Sequence, residues 1–185
     1  MKDLFEAVRA GDMARVKDLV AADPSLAIFA AAIQGDTEQL TELLNANRSL
    51  VGLLSSDGWT PLHLAAFFGK TDAARLLLNK GAIVNARSTN PMQNMPLHAA
   101  AAGRHVEVAQ LLIEHGAPVN ALQHGGWSPL HAAAQNGDIE LAKALIAAGA
   151  DVNVRAENNQ MPLDLALTKG QQAMVDYLES NGAKL

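Results

Sequence analysis

Histidine is the residue most open to chemistry in this chain of 185 residues, which has six histidines, nineteen acidic residues and no cysteine. A metal site or a general base needs such residues grouped, two imidazoles one helical turn apart or one imidazole beside an orienting carboxylate. His105, His115 and His124 have no i, i+4 histidine and no companion glutamate in a ligand pattern. His63, His98 and His131 are regular instead, each two residues after a proline, in Pro61-Leu62-His63, Pro96-Leu97-His98 and Pro129-Leu130-His131. There are no paired carboxylates, no nucleophile elbow and no glycine-rich loop running from a strand into a helix. The expectation is a protein that is not an enzyme and uses no metal or cofactor.

The regular histidines are one landmark of a repeat. Trp59-Thr60-Pro61-Leu62-His63 returns as Met95-Pro96-Leu97-His98, Trp127-Ser128-Pro129-Leu130-His131 and Met161-Pro162-Leu163-Asp164, with the prolines 35, 33 and 33 residues apart. Gly81, Gly116, Gly149 and Gly182 each follow their proline by 20 residues, and Asn85, Asn120 and Asn153 follow the first three of these glycines by four. Units of this length cannot bury an apolar face alone and fold by stacking. Within one unit, Thr60 before Pro61 reads as a hydroxyl cap with proline at the first helical position. Leu62, Ala65 and Ala66 make a small apolar face, and Gly69 ends that helix in a left-handed turn. A second helix is expected from Thr71 to Asn79, stopped by Gly81, and Ala82-Ile83-Val84-Asn85 reads as an extended finger.

These stretches resemble ankyrin repeats, whose T-P-L-H-x-A-A motif and G-A-D-V-N close they match, the latter in Gly149-Ala150-Asp151-Val152-Asn153. The resemblance is specific over residues 57–183 and looser over 1–56, where Gly11-Asp12 and Gly35-Asp36 echo Gly137-Asp138. It implies an all-α solenoid of stacked helix-turn-helix repeats with β-turn fingers. The expected units are an N-terminal cap over 1–24, a degenerate repeat over 25–56, repeats over 57–88, 89–121 and 122–154, and a C-terminal cap over 155–185. The first two are read as helix pairs joined by a tight Asp23-Pro24 connection, without a full finger. Polar first and last helix pairs fit the ends of a stack, so a monomer is expected. The resemblance also implies that His63, His98 and His131 link one unit's loop to the next by hydrogen bonds. Asn85, Asn120 and Asn153 resemble the position that asparaginyl hydroxylases modify in some members, which would make the protein a substrate; a structural cap on the finger turn is the plainer reading.

Composition narrows the partner. Apolar residues are 49% of the chain and aromatics 4%, so Leu, Ala, Val and Ile must build the core. A formal charge of −5 without a basic stripe argues against nucleic acid. The longest apolar run, Leu26 to Ile33, is too short for a bilayer, and the charged start lacks the apolar run of a signal peptide. Absence of cysteine suits a reducing compartment, so a cytoplasmic location is expected.

Four departures from the pattern stand out. The finger around Ser88 to Asn94 is two residues longer than its later counterparts, with Asn90-Pro91 as a turn signal. Met95 and Met161 replace the capping threonine, so Met95→Thr is expected to raise the melting temperature by restoring a cap worth about 1 kcal/mol. Asp164 replaces the motif histidine and can cap its helix reciprocally. Arg104 stands where other units have glycine, which suggests a reshaped turn.

The resemblance places a groove between fingers and first helices. Trp59 and Trp127 precede the motif cap in two units. Phe67 and Phe68 end the first helix of the Trp59 unit, where the Trp127 unit has Gln135 and Asn136. Lys80 and His115, before their closing glycines, are expected to face inward too. With Asp57, Met92 and Asn94 they complete the candidate site for a protein or extended peptide, with Trp59, Phe67, Phe68 and Trp127 as anchors. The competing readings are that the tryptophans pack against their own fingers, and that the chain is a repeat scaffold, designed, consensus-like or vestigial, without a dedicated site.

Overall fold

The computed structural model describes residues 1–184; Leu185, the last residue of the 155–185 unit, lies outside them. Twelve α-helices make up this part of the chain. They are α1 (Lys2–Ala10), α2 (Met13–Ala22), α3 (Ala27–Gln34), α4 (Thr37–Ala46), α5 (Pro61–Phe67), α6 (Thr71–Asn79), α7 (Pro96–Gly103), α8 (Val106–Glu114), α9 (Pro129–Asn136), α10 (Ile139–Ala147), α11 (Pro162–Thr168) and α12 (Gln172–Ser180). Each odd-numbered helix packs on the even-numbered helix that follows it and on the odd-numbered helices before and after it. Two rows result, a first row of odd-numbered helices and a second row in which α4, α6, α8, α10 and α12 pack in sequence. Small residues set this close spacing: Ala65, Ala66, Ala100, Ala101, Ala133, Ala134 and Ala166 of the first row have essentially no solvent exposure. The 3₁₀ turns Pro24–Leu26 and Arg48–Gly52 stand where the first two units lack a full finger.

Local chemistry explains the boundaries. Thr60 and Ser128 cap α5 and α9, and Pro61 and Pro129 take the first helical position. The aspartates of the three echoed Gly-Asp pairs cap second helices: Asp12, Asp36 and Asp138 accept from Arg15, Gln39 and Leu141 N–H at 2.9, 2.9 and 3.1 Å. Asp164 acts as its position suggested, its Oδ2 accepting from Met161 N–H at 2.8 Å. Arg104 corrects the expectation of a reshaped turn. It takes φ 62° and ψ 39°, the conformation that Gly137 takes at φ 65° and ψ 26°, so the turn is kept and a non-glycine residue bears its cost.

Burial overturns the expectation for Met95. Met95 and Met161 make no side-chain cap, as the sequence implies, but they are only 8% and 3% exposed. Truncating a buried side chain of this size costs about 2 kcal/mol or more, which exceeds the cap's about 1 kcal/mol. Met95→Thr is therefore expected to lower the melting temperature.

Hydrogen bonds between units replace the long-range sheet of other folds. His63 donates from Nε2 to Asn94 O at 3.1 Å, His98 to Ala121 O at 2.9 Å and His131 to Gln160 O at 3.1 Å. The other nitrogen, Nδ1, accepts from the cap residue: the Thr60 hydroxyl lies 2.8 Å from it and the Ser128 hydroxyl 2.9 Å. Both ring nitrogens are thus used by a neutral imidazole. Burial drives the pKa of His63 and His98 down to about 4 and lowers that of His131. These three histidines are structural links, as the resemblance implied.

Candidate functional site

Each finger is closed by a backbone hydrogen bond, from Ser55 to Trp59, Ser88 to Asn94, Gln123 to Trp127 and Ala156 to Gln160, all at 2.8–2.9 Å. Fingers are then joined to one another. Thr89 N–H donates to Gly58 O at 3.0 Å, His124 N–H to Met92 O at 2.8 Å and Glu157 N–H to Gly125 O at 2.9 Å. The glycine before each tryptophan allows this approach: a Cβ on Gly58 would lie 2.7 Å from Asn90 N, and one on Gly126 2.8 Å from Glu157 N. The two extra residues of the 88–94 finger form an Asn90 turn in which Oδ1 accepts from Met92 N–H at 2.9 Å. That finger is bonded to both neighbours, and Met92 keeps 47% exposure.

The two tryptophans stand at equivalent positions in different surroundings. Trp59 stacks on His63, with ring centroids 5.9 Å apart, and meets Phe67 edge-on at 5.4 Å. Phe67 meets Phe68 at 5.3 Å, and Phe68 meets Phe5 of α1 at 5.8 Å. The chain of rings therefore runs from the finger across the end of α5 to α1, which α3 separates from α5 in the first row. Phe5, Arg9, Trp59, Phe67 and Phe68 line an open hollow of about 490 Å³. Phe67 is 37% exposed, so the ring surface is available. Trp127 lies over His131 at 5.4 Å. In its unit Gln135 occupies the Phe67 position, so the Trp127 ring meets His131 but no phenylalanine at the end of the helix.

The structure brings Trp59, Phe67 and Phe68 together and separates several other candidates from them. Asn94 is corrected: it is 7% exposed and its Oδ1 accepts from the Ser88 hydroxyl at 2.6 Å, so its side chain closes the finger from within. Lys80 and His115 are corrected as well. They cap α6 and α8 in the second row, where Lys80 Nζ donates to Asn45 Oδ1 at 2.8 Å and His115 Nδ1 donates to Leu111 O at 2.8 Å. Asp57 and Gln135 are exposed and Asn136 is half-buried. Sequence reasoning missed Phe5 and Arg9. A signal existed: Phe5 lies six residues before Gly11, as His63 lies before Gly69, and Arg9 has the register of Phe67.

The asparagines divide too. Asn120 donates to Gly149 O at 2.9 Å and accepts from Asp151 N–H at 2.8 Å. Asn153 donates to Gly182 O at 3.1 Å and accepts from Lys184 N–H at 3.0 Å. The residue that would donate to Asn85 is Pro118, which has no N–H, and the exposed Asn85 side chain makes no such bridge among the described residues. Among the same residues no cluster of three or more His, Asp or Glu could hold a metal, and no helix is long and apolar enough to cross a membrane.

Comparison with known proteins agrees with this architecture. The family model for ankyrin repeats matches residues 4–88, 27–123, 82–156 and 122–185. Protein phosphatase 1 regulatory subunit 12A is 45% identical over 53 residues in both Mus musculus and Rattus norvegicus, covering 29% of this chain and 5% of that protein. Delta-latroinsectotoxin-Lt1a of Latrodectus tredecimguttatus is 38% identical over 64 residues, 34% of this chain and 5% of the toxin. The chain thus spans a small fraction of the length of these relatives. With the family model covering nearly the whole sequence, and paired helices, linking histidines and joined fingers in the structure, the chain belongs to the ankyrin-repeat family.

Proposed function

We propose that this protein is a non-catalytic interaction module that binds a protein or an extended peptide, acting as an adaptor or inhibitor, with Trp59, Phe67 and Phe68 as its principal anchor. Ankyrin repeats are generally protein-interaction modules, and the family is typically non-catalytic. The observation that carries the reading is the partly exposed run of rings from Trp59 to Phe5 in a chain with only 4% aromatic residues. Core burial alone does not call for rings at an exposed helix end, and contiguous exposed apolar surface marks interaction sites. Tryptophan and arginine are the residues most often found at binding hot spots. The similarity to a phosphatase regulatory subunit is compatible with an adaptor role. Trp127, with Gln135 and Asn136, would form a second and weaker contact further along the same face.

Affinity capture from lysate tests this reading with wild type, Trp59→Ala and Phe67→Ser, each first shown to be folded by circular dichroism. A protein retained by wild type and lost by both variants supports the ring cluster as the anchor. Equal retention by all three would contradict it.

A further inference from the structure

The walls of the hollow differ in charge from the chain as a whole. Four of its five lining residues are aromatic and the fifth is Arg9, in the last turn of α1. Arg9 belongs to none of the ion pairs among the described residues, which are Lys2–Glu6, Arg15–Asp3 and Lys143–Glu140. A protein with a formal charge of −5 therefore presents an unpaired guanidinium beside its principal apolar surface.

That combination discriminates among occupants. Aromatic rings alone would suit a cation as well as a carbon surface, but a lining arginine repels a cation and attracts a carboxylate. A phosphate backbone needs several cations in a line, and the hollow has one. The guanidinium presents a planar pair of donors that matches a carboxylate fork. Only two helices and one finger wall the hollow, which suits a side chain entering from a longer chain.

We infer, on the basis of the binding function proposed above, that the hollow takes a bulky apolar side chain of a partner peptide with a carboxylate side chain beside it, paired to Arg9. The apolar group lies against Phe67, Phe68 and Trp59, and the carboxylate sets which partners are accepted.

Two capped hexapeptides, Gly-Ser-Glu-Phe-Ser-Gly and Gly-Ser-Lys-Phe-Ser-Gly, test the assignment by NMR titration of the ¹⁵N-labelled protein. The readout is the indole N–H of Trp59 with that of Trp127 as internal reference. The expected result is a Trp59 shift with the Glu peptide, and about tenfold weaker binding of the Lys peptide. Arg9→Gln should erase that preference and Arg9→Glu reverse it, while Phe67→Ser weakens both peptides. Equal affinity for the two peptides, with both lost in Phe67→Ser, would overturn the carboxylate assignment and leave the ring anchor standing. A shift at neither indole with either peptide would overturn both.

Discussion

The units that contain Trp59 and Trp127 share a cap, a proline, a leucine and a linking histidine, and both tryptophans lie over that histidine. They differ two turns later, where one helix ends in Phe67-Phe68 and the other in Gln135-Asn136. In the first unit the tryptophan is one ring in a surface that reaches α1. In the second it is a ring on its own finger. The same tryptophan therefore has a different meaning in each place, and the end of the neighbouring helix decides which.

Acid gives the largest effect and probes the linking histidines, His63 and His131 beneath the two tryptophans and His98 in the unit between them. Folded His63 and His98 titrate near 4, against about 6.5 in the unfolded chain, so the unfolded chain binds more protons between these values. Stability should be full above pH 6.5 and fall as pH drops towards 4, by about 3 kcal/mol for each of the two. His131, also lowered, adds in the same direction. Urea midpoints at pH 7 and pH 5 would check this, and a pH-independent midpoint would contradict it.

Between the two units, Met95 stands where they have Thr60 and Ser128. Met95→Thr should lower stability by about 1 kcal/mol net, since lost burial outweighs the gained cap. A raised melting temperature would show that the cap dominates.

The tryptophans themselves come next. Trp59→Ala should destabilise by about 1 kcal/mol more than Trp127→Ala, because it also removes an edge-on aromatic pair. Equal losses in chemical denaturation would mean that the Phe67 contact contributes nothing to folding.

The smallest contrast lies at the closing asparagines. Asn153→Ala, which breaks two hydrogen bonds to the next unit, should cost about 1 kcal/mol, while Asn85→Ala should be neutral within about 0.5 kcal/mol. Parallel thermal melts would separate them.

Much of this architecture was legible because its signals are local. The Thr60 cap and the N1 proline marked the start of α5, and the left-handed Gly69 and closing Gly81 bracketed α6 at Thr71–Asn79 as expected. The histidine links followed from the family resemblance, and Asp164 from its distance to the cap. Burial was less legible. Met95 and Asn94 lie next to each other in an ordinary-looking motif, yet one side chain is buried in place of a cap and the other closes a longer finger from inside. Lys80 and His115 end second helices as the closing glycines imply, but the sequence does not show that their side chains bond to Asn45 of α4 and to Leu111 of α8. Phe5 and Arg9 were hidden because the first unit has no finger to set its register, although the spacing to Gly11 contained it.

The most direct test is the affinity of the captured partner for wild type, Trp59→Ala and Trp127→Ala, measured by isothermal titration calorimetry. The account predicts that Trp59→Ala weakens binding about 30-fold or more, as loss of a hot spot worth about 2 kcal/mol would. Trp127→Ala should weaken it less than about fivefold, a cost below about 1 kcal/mol. Equal losses in the two variants, or a larger loss in Trp127→Ala, would contradict the claim that the ring cluster is the principal anchor.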